Sequence, residues 1–322
     1  MIRHSNYEHE EVYNQLAYTL IAKKEHKKEL EKEDLDYKYI GKESLEEELQ
    51  RILNDRKYYG YVIKTIKSGD LVESEIYPWY GSKKDIPRNK DRKNQRETQN
   101  NLNHKNNQKK VIRLMSCNFT KEDYIVTLTW QDKYYPTLER AKKDFDNWLA
   151  KVKRWRDKRG LPPPKYIYAL EYLEEGETTK KVRMNIHVII SGTGRNDKSE
   201  QLEYRDMLET KWTRGSRCET RKVVPDDYGL TGFAKYITKG CQDERKHARK
   251  WNGSQNLTKP TITKNHTKIT RKKAENMFRD NNFLREVLET TYKNKYKFLD
   301  CEANVNEYVS GIYFYARMRK RD

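Results

Sequence analysis

The sequence has few cysteines and no long apolar run. Its 322 residues include four cysteines that lie far apart, without a Cys-x-x-Cys pair: Cys117, Cys218, Cys241 and Cys301. This spacing argues against a zinc knuckle and against a dense disulfide framework. No stretch approaches the ~20 apolar residues of a membrane-spanning helix, and residues 1–9 contain no apolar signal-peptide core. We therefore expect free thiols, no membrane partner and a cytoplasmic location.

Basic residues are in large excess and unevenly distributed. The chain has 68 Lys and Arg against 49 Asp and Glu, a net charge of +19, and only 34% of its residues are hydrophobic. Residues 1–56 hold 14 acidic and 10 basic residues, so residues 57–322 carry a net charge of +23. Such an excess attracts polyanions, either nucleic acid or an anionic membrane surface. The 24 tyrosines favour single strands, because their rings can stack on unpaired bases. A genome biased toward Tyr and Lys would produce the same composition.

Changes in composition divide the chain into four predicted segments. Helical spacings within 7–55 and two β-rich runs around Ser68-Gly69-Asp70 predict helices followed by a β-hairpin. A Lys- and Arg-rich stretch follows, and the chain then reads as a mixed α+β domain. The predicted segments are an N-terminal helical region with a hairpin (1–81), a basic linker or helix (82–110), the α+β domain (111–265) and a C-terminal extension (266–322). Within the extension we expect a helix from Arg271 to Lys295 and a strand over 308–315.

The α+β domain begins with a strand and a long helix. Residues 124–130 alternate, with Val126, Leu128 and Trp130 on one face and Thr127 on the other. The next segment, 138–158, has an apolar stripe with basic residues mostly off it, and Gly160 and three prolines end it. The predicted stripe is Leu138, Ala141, Phe145, Trp148, Leu149, Val152 and Trp155. Strands over 165–172 and 182–190 then form a hairpin.

This second hairpin brings together three side chains with metal-binding chemistry. Alternation places Asn185 and His187 on one face of their strand, with Met184 and Ile186 on the other. Antiparallel pairing then sets Glu171 opposite Asn185 and one diagonal step from His187. A carboxylate, an amide and an imidazole suit Mg²⁺ or Mn²⁺. The alternative is that His187 is a structural histidine satisfied by local hydrogen bonds.

A short predicted helix over 229–240 carries a possible nucleophile. Tyr236 and Lys239 lie three residues apart and share a helix face. A tyrosine can attack a phosphodiester while a nearby cation stabilises the phenolate and the charge on phosphorus. Taken alone, a Tyr-x-x-Lys pair is a weak signal in so Tyr- and Lys-rich a chain.

Taken in order, these segments resemble the HUH endonucleases, and most closely the replication initiators of small phages and rolling-circle plasmids. The resemblance covers about residues 96–265. Its motifs are Cys117-Asn118-Phe119, Val126–Trp130, Lys153-Arg154-Trp155, Tyr166–Glu171, Arg183–His187, Trp212–Gly215, Tyr236–Lys239 and Ser254–Pro260.

The resemblance implies a ferredoxin-like or RRM-like antiparallel sheet with flanking helices, a bound divalent metal and a catalytic tyrosine on a nearby helix. Carried over by position, His187 and Glu171 are metal ligands, Tyr236 is the nucleophile and Lys239 assists it. Asn185 departs from the family pattern, which has a histidine there. Its carbonyl oxygen can still bind Mg²⁺ or Mn²⁺, so the site is either a functional variant or a damaged one. Phe233 stands where two-tyrosine relatives have a second nucleophile.

The implied function is nicking and rejoining of single-stranded DNA at a replication origin, through a 5′-phosphotyrosine. Residues 82–110 and 245–249 and the basic side chains off the helical stripe would hold the DNA backbone. Candidate DNA-binding residues are Lys143, Lys151, Arg154, Arg183, Arg214 and Lys235. No Walker A sequence is present, so a host helicase is an expected partner. The alternatives are a non-catalytic single-strand nucleic-acid-binding protein on the same fold, and a relaxase or transposase with the same chemistry.

Overall fold

The computed structural model of the chain describes residues 58–81, 95–131, 134, 136–171, 184–215, 217–239, 251–305 and 311–321, the side chains of residues 95–102, 217 and 239 excepted. The helices predicted within 7–55, the hairpin connection at 172–183 and the basic run 245–249 lie outside the described residues.

The described residues form an α+β fold, as predicted, with two five-stranded antiparallel sheets and six helices. The strands are β1 (Gly60–Ser68), β2 (Leu71–Trp79), β3 (Tyr124–Thr129), β4 (Tyr166–Glu171), β5 (Asn185–Ile190), β6 (Arg217–Lys222), β7 (Asn252–Gly253), β8 (Thr261–Asn265), β9 (Tyr296–Val305) and β10 (Ile312–Lys320). The helices are α1 (Gln95–Asn118), α2 (Leu138–Asp157), α3 (Lys198–Thr210), α4 (Thr231–Lys239), α5 (Arg271–Arg279) and α6 (Asn281–Thr291). None of these six helices is both long and apolar enough to cross a membrane.

The chain divides into two compact units. The first unit contains residues 1–67, 71–95 and 261–322, and the second contains residues 68–70 and 96–260. The four predicted segments divide the chain at other positions, after residues 81, 110 and 265. Helix α1 continues through the boundary set at residue 110, and β8, placed by the prediction in the domain ending at 265, pairs with β1 of the first unit. The predicted C-terminal extension therefore belongs to the unit that contains the first hairpin.

In the first unit the predicted hairpin is confirmed, with β1 and β2 joined by Gly69 and Asp70. The sheet order is β8-β1-β2-β10-β9. Alternate residues of β1, β2 and β10 pack with α5 and α6 into one core, which includes Ile63, Val72, Ile76, Phe314, Met318, Met277, Leu284 and Leu288. Several of the intervening positions carry polar or charged side chains that pair with one another: Lys64 with Glu75, Tyr315 with Glu73, and Arg317 with Asp300.

The single helix predicted over Arg271–Lys295 is wrong, because the chain forms two helices that meet at Asp280. The backbone of Asp280 is extended, which ends α5. Its carboxylate accepts hydrogen bonds from the backbone N–H groups of Asn282 at 2.8 Å and Phe283 at 3.2 Å, which caps α6. The strand expected over 308–315 overlaps β10, which runs from Ile312 to Lys320.

In the second unit the predicted strands and helices form in the expected places. The chain order β3-α2-β4-β5-α3-β6 folds into a sheet of order β6-β3-β5-β4-β7. Strand β5 lies at the centre, antiparallel to both β3 and β4. Thr137 caps α2 by accepting a hydrogen bond from the backbone N–H of Arg140 at 3.3 Å. The apolar stripe of α2 is confirmed, since every predicted member packs in one core cluster.

The two faces of this sheet have different partners. One face presents Val126, Leu128, Ile186 and Val188 to the apolar sides of α2 and α3. The opposite face presents Ile125, Ile167 and Ile189 to buried residues of α1 and α4, which include Val111, Met115, Ala234 and Ile237. The two rows of residues that follow on this second face are mainly polar, and the candidate site lies there.

Candidate active site

Strand register brings the three predicted metal-binding positions into two adjacent rows. Glu171 on β4 is directly opposite Asn185 on β5, as predicted from alternation. In the next row, His187 lies between Ala169 on β4 and Thr127 on β3. Because directly opposed side chains have Cβ atoms about 4.5–5.5 Å apart, Glu171 and Asn185 are close neighbours on one face.

His187 is buried and both of its ring nitrogens have partners. Nε2 lies 2.9 Å from Glu171 Oε2, and Nδ1 lies 3.3 Å from Thr127 Oγ1. The Thr127 contact holds the ring in the plane that aims Nε2 at the carboxylate. The imidazole therefore faces Glu171 from a fixed position.

Helix α4 brings Tyr236 to the same nitrogen. The Tyr236 hydroxyl oxygen lies 3.4 Å from His187 Nε2, and the two rings meet edge to face with centroids 5.1 Å apart. Ala234 and Ile237 are buried on the inner side of α4, which leaves Tyr236 on the outer side with 54% of its surface exposed. The phenol is thus both in contact with the imidazole and accessible to a large substrate.

The turn before α4 fixes where the helix starts. Gly229 has a φ of +67°, a left-handed conformation that favours glycine, and its N–H donates to Asp226 O at 2.9 Å. The Thr231 hydroxyl then donates to Tyr228 O at 2.7 Å. These bonds set the position of the first helical turn, and hence of Tyr236 one turn later.

The surroundings of Tyr236 raise the pKa of its hydroxyl above the ordinary value. Partial burial is the largest cause, the negative charge of Glu171 adds to it, and the positive charge of Arg221 opposes both. Tyr236 is consequently a neutral phenol near neutral pH, and the nearby cation Arg221 is a residue that the sequence analysis did not identify.

The donor set fits a divalent cation. Glu171 supplies a carboxylate oxygen, His187 an imidazole nitrogen and Asn185 an amide oxygen in register with Glu171. The 2.9 Å between His187 Nε2 and Glu171 Oε2 is close to the ~3 Å that separates adjacent ligands of a cation with bond lengths of about 2.1 Å. Among the described residues, His, Cys, Asp and Glu alone form no group of three that could hold a metal ion. A metal held here by three protein donors would therefore need the amide oxygen of Asn185.

The predicted DNA-binding residues do not gather at this site. Lys143, Lys151 and Arg154 belong to α2, which covers the opposite face of the sheet. Lys151 Nζ donates to the backbone oxygen of Lys211 at 3.1 Å. The α2 cations therefore lie on the side of the sheet opposite His187, and their predicted role in DNA binding stays a prediction.

Four other predicted residues have different outcomes. Arg214 forms an ion pair through Nε with the buried Asp144 at 3.2 Å, and 47% of its side chain is exposed. Lys235 is exposed and directly precedes Tyr236 on α4. Arg183 and the side chain of Lys239 lie outside the described residues. Of the predicted cations with described side chains, Lys235 is the one beside the candidate nucleophile.

The Trp212–Gly215 motif holds the end of β3 beside the site. The Trp212 indole N–H donates to Thr129 O at 2.9 Å, and a Cβ added to Gly215 would lie 1.5 Å from the same oxygen. The N–H of Gln131 donates to Arg214 O at 3.0 Å. Because Thr129 is opposite Asn185 in the sheet, this motif positions the row that contains Glu171.

Asn118, which belongs to the first motif of the resemblance, has a structural role, because its side chain bonds to the segment that follows β7. Its amide oxygen accepts the N–H of Thr258 at 2.8 Å, and its amide nitrogen donates to Thr258 O at 2.8 Å. Lys165 Nζ donates to the same amide oxygen at 3.0 Å. The side chain thus imitates a neighbouring strand and holds the segment after β7 in place.

Thr127 and Arg221 are the candidate site residues that sequence reasoning missed. The alternation of β3 placed Thr127 on the correct face, but its contact with His187 depends on β3 pairing with β5. Arg221 lies on β6, which was not predicted as a strand.

Comparison of the chain with protein-family models, curated proteins and solved structures finds no match.

Proposed function

We propose that this protein nicks and rejoins single-stranded DNA at a replication origin, with Tyr236 as the nucleophile of a single-tyrosine HUH endonuclease. One observation carries the proposal: the exposed Tyr236 hydroxyl lies 3.4 Å from His187 Nε2, which is itself 2.9 Å from Glu171. A nucleophile, a possible metal ligand pair and an open approach therefore coincide at one point.

The topology of the second unit supports a ferredoxin-like sheet for this activity. Along the chain, β3, α2, β4, β5, α3 and β6 follow the order β-α-β-β-α-β. In the sheet, β6 lies beside β3, and β5 lies between β3 and β4. This is the arrangement of two interleaved β-α-β units. Both connecting helices, α2 and α3, pack on the same face. The other face is then available for a strand-borne site served by α4.

In the proposed reaction, the Tyr236 oxygen attacks the phosphorus of a phosphodiester. A bond forms between that oxygen and phosphorus, the bond from phosphorus to the 3′ oxygen breaks, and the phenol proton is transferred to the departing 3′ oxygen. The products are a 5′-phosphotyrosine and a free 3′ hydroxyl that can prime synthesis. Since one phosphodiester replaces another, attack by a new 3′ hydroxyl rejoins the strand without an external energy source.

The chain's own residues would position the reactants. A divalent cation, Mg²⁺ or Mn²⁺, held by Glu171, Asn185 and His187 would withdraw charge from the scissile phosphate. Thr127 orients His187, and the turn before α4 orients Tyr236. In this proposal Lys239, one turn beyond Tyr236, stabilises the developing charge, and a host helicase supplies the unwound strand.

A labelled pool of single-stranded oligonucleotides of random sequence tests the proposal. The 3′-labelled pool is incubated with protein and Mn²⁺ and run on a denaturing gel, because the fragment with the 5′-phosphotyrosine retains the original 3′ end. We expect a labelled protein band for the parent and for the control variant Tyr228→Phe, and none for Tyr236→Phe or in excess chelator. A band with Tyr236→Phe would overturn the assignment, and a band only with 5′-labelled DNA would overturn the polarity.

A non-catalytic single-strand-binding protein on the same fold is the second candidate. Asn185 favours it, because an amide replaces a stronger imidazole ligand at that position. If this second candidate is correct, the parent protein binds DNA and forms no adduct with any metal ion. A relaxase or transposase would give the same adduct and differ only in the DNA it selects.

A further inference from the structure

The first unit presents three exposed aromatic rings in a row, whereas Tyr236 belongs to the second unit. The rings of Tyr59 and Trp79 have centroids 5.7 Å apart, and those of Trp79 and His266 have centroids 5.1 Å apart. Tyr59 is 70% and Trp79 41% exposed, and His266 is exposed as well. Large aromatic side chains are normally buried, so a contiguous exposed set suggests a binding surface.

Hydrogen bonds fix the backbone that carries these three rings. The Tyr59 N–H donates to Trp79 O at 2.8 Å, which fixes the start of β1 against the end of β2. His266 occupies a turn closed by Asn265, whose side-chain oxygen accepts the N–H groups of Thr267 at 3.0 Å and Lys268 at 2.9 Å. A surface with fixed backbone loses little conformational entropy when a ligand stacks on it.

Cations flank the aromatic row. Lys264 and Lys268 are both exposed, two residues before and two residues after His266. On the same face of the sheet, Glu75 is paired with Lys64 at 2.6 Å and Glu73 bonds to Tyr315, so these carboxylates have partners of their own. Exposed rings beside exposed lysines offer stacking for bases and charge for phosphates, which is the chemistry of single-strand binding.

We infer that Tyr59, Trp79 and His266, flanked by Lys264 and Lys268, form a stacking platform for the unpaired bases of a single-stranded nucleic acid. The platform shares with the proposed function only the class of partner, and it requires neither metal nor Tyr236. It would give the protein a second, sequence-tolerant contact with the strand, outside the unit that carries the candidate active site.

Fluorescence anisotropy with labelled oligo(dT) of about 20 nucleotides tests the platform, in chelator and in the Tyr236→Phe protein so that no cleavage interferes. We expect Trp79→Ala to weaken binding about tenfold, which equals about 1.4 kcal/mol, and Tyr59→Ala about fivefold. Trp79→Phe retains a ring and should bind within about threefold of the parent. Tyr134→Ala, which removes an exposed aromatic of the second unit, is the control and should leave binding unchanged.

Salt dependence separates the stacking and charge contributions. Lys264→Ala and Lys268→Ala should each reduce the slope of log K against log[salt] by about 0.7, while Trp79→Ala leaves the slope unchanged. A parallel series with oligo(U) distinguishes RNA from DNA as the natural strand. Thermal unfolding of each variant shows whether it is folded, and Tyr59→Ala provides the test if Trp79→Ala does not fold.

Three outcomes would overturn the platform. If the parent, Trp79→Ala and Tyr59→Ala all bind oligo(dT) equally, the rings do not contact bases. Equal losses for Trp79→Ala and Tyr134→Ala show a general effect of removing aromatics. If the ring variants lose binding to anionic vesicles and keep their binding to oligo(dT), the surface is assigned to a membrane. Each of these leaves the Tyr236 adduct assay unaffected, so failure of the platform and failure of the proposed function are distinguishable.

Discussion

The two sheets use their carboxylates differently. In the first unit, Glu75 bonds to Lys64 at 2.6 Å and Asp300 pairs with Arg317. In the second unit, Glu171 faces His187, and a tyrosine hydroxyl approaches the same imidazole nitrogen. Lysine and arginine are fixed cations that satisfy a carboxylate, whereas a neutral imidazole can share a metal ion with it. The partner of each carboxylate therefore distinguishes a structural ion pair from a candidate ligand.

The largest difference between the sheets should appear when one carboxylate in each is neutralised. Glu171→Gln should slow Mn²⁺-dependent adduct formation by about 1,000-fold, because it removes a charged ligand. Glu75→Gln should leave the rate within about twofold and lower the free energy of unfolding by about 1 kcal/mol or less. Adduct time courses and urea denaturation measure the two effects. Equal losses of activity would show that the distinction between these carboxylates is wrong.

Glycine replacements compare how tightly the two sheets are packed at their strand ends. Gly215→Ala should lower the free energy of unfolding by about 3 kcal/mol or more, because its Cβ would lie 1.5 Å from Thr129 O. Gly60→Ala, at the start of β1, has no heavy atom within 4 Å of the new Cβ and should change stability by about 0.5 kcal/mol. Urea denaturation measures both, and a neutral Gly215→Ala would contradict the close approach.

Asn185→His adds a second imidazole to the sheet that already has one. We expect Mn²⁺-dependent adduct formation to be kept or raised about three- to tenfold, because imidazole binds this metal more strongly than an amide oxygen does. Titration of Mn²⁺ against adduct yield measures the change, with Asn185→Ala as the control that only removes the amide. If the variant reacts and the parent never does, the parent is a degraded enzyme and the binding-protein alternative gains support.

Arg221→Gln should have the smallest effect. Loss of this cation removes the influence that lowers the pKa of Tyr236, so that pKa rises further. The phenolate fraction then falls, and adduct formation should slow about two- to fivefold at neutral pH, with the deficit shrinking as pH rises toward the pKa of the phenol. Arg221→Lys retains the charge and should match the parent. A deficit that does not change with pH would indicate a structural role for Arg221.

The local structure of the second unit was predictable from its sequence, because it depends on short-range patterns. The period-two geometry of strands over 165–172 and 182–190 predicted which residues share a face, and the opposition of Glu171 and Asn185 followed. The apolar stripe of α2 was equally clear. The broken helix at Asp280 was missed, although the four residues between Phe278 and Phe283 are all polar and an aspartate stands among them.

Contacts between distant elements were not predictable in the same way. A helical stripe shows that one side of α2 is buried, but it does not show which face of the sheet the helix covers, so the position of the α2 cations relative to His187 could not be predicted. The approach of Tyr236 to His187 depends on how α4 packs on residues such as Ile125 and Ile189. The sheet of the first unit was missed because β1 pairs with β8 across about 200 residues and β2 pairs with β10 across about 240 residues, and pairing over such distances leaves no local pattern.

The division of the chain into units sets an order of folding during synthesis. The first unit is interrupted in sequence by residues 96–260, so β1 and β2 emerge from the ribosome long before β8, β9 and β10. A two-stranded hairpin alone is marginally stable in water. The second unit, by contrast, is complete once residue 260 has emerged. The nascent chain therefore contains a folded second unit before the last three strands of the first unit have been synthesised. A premature stop after residue 260 would release the candidate active site without the aromatic platform.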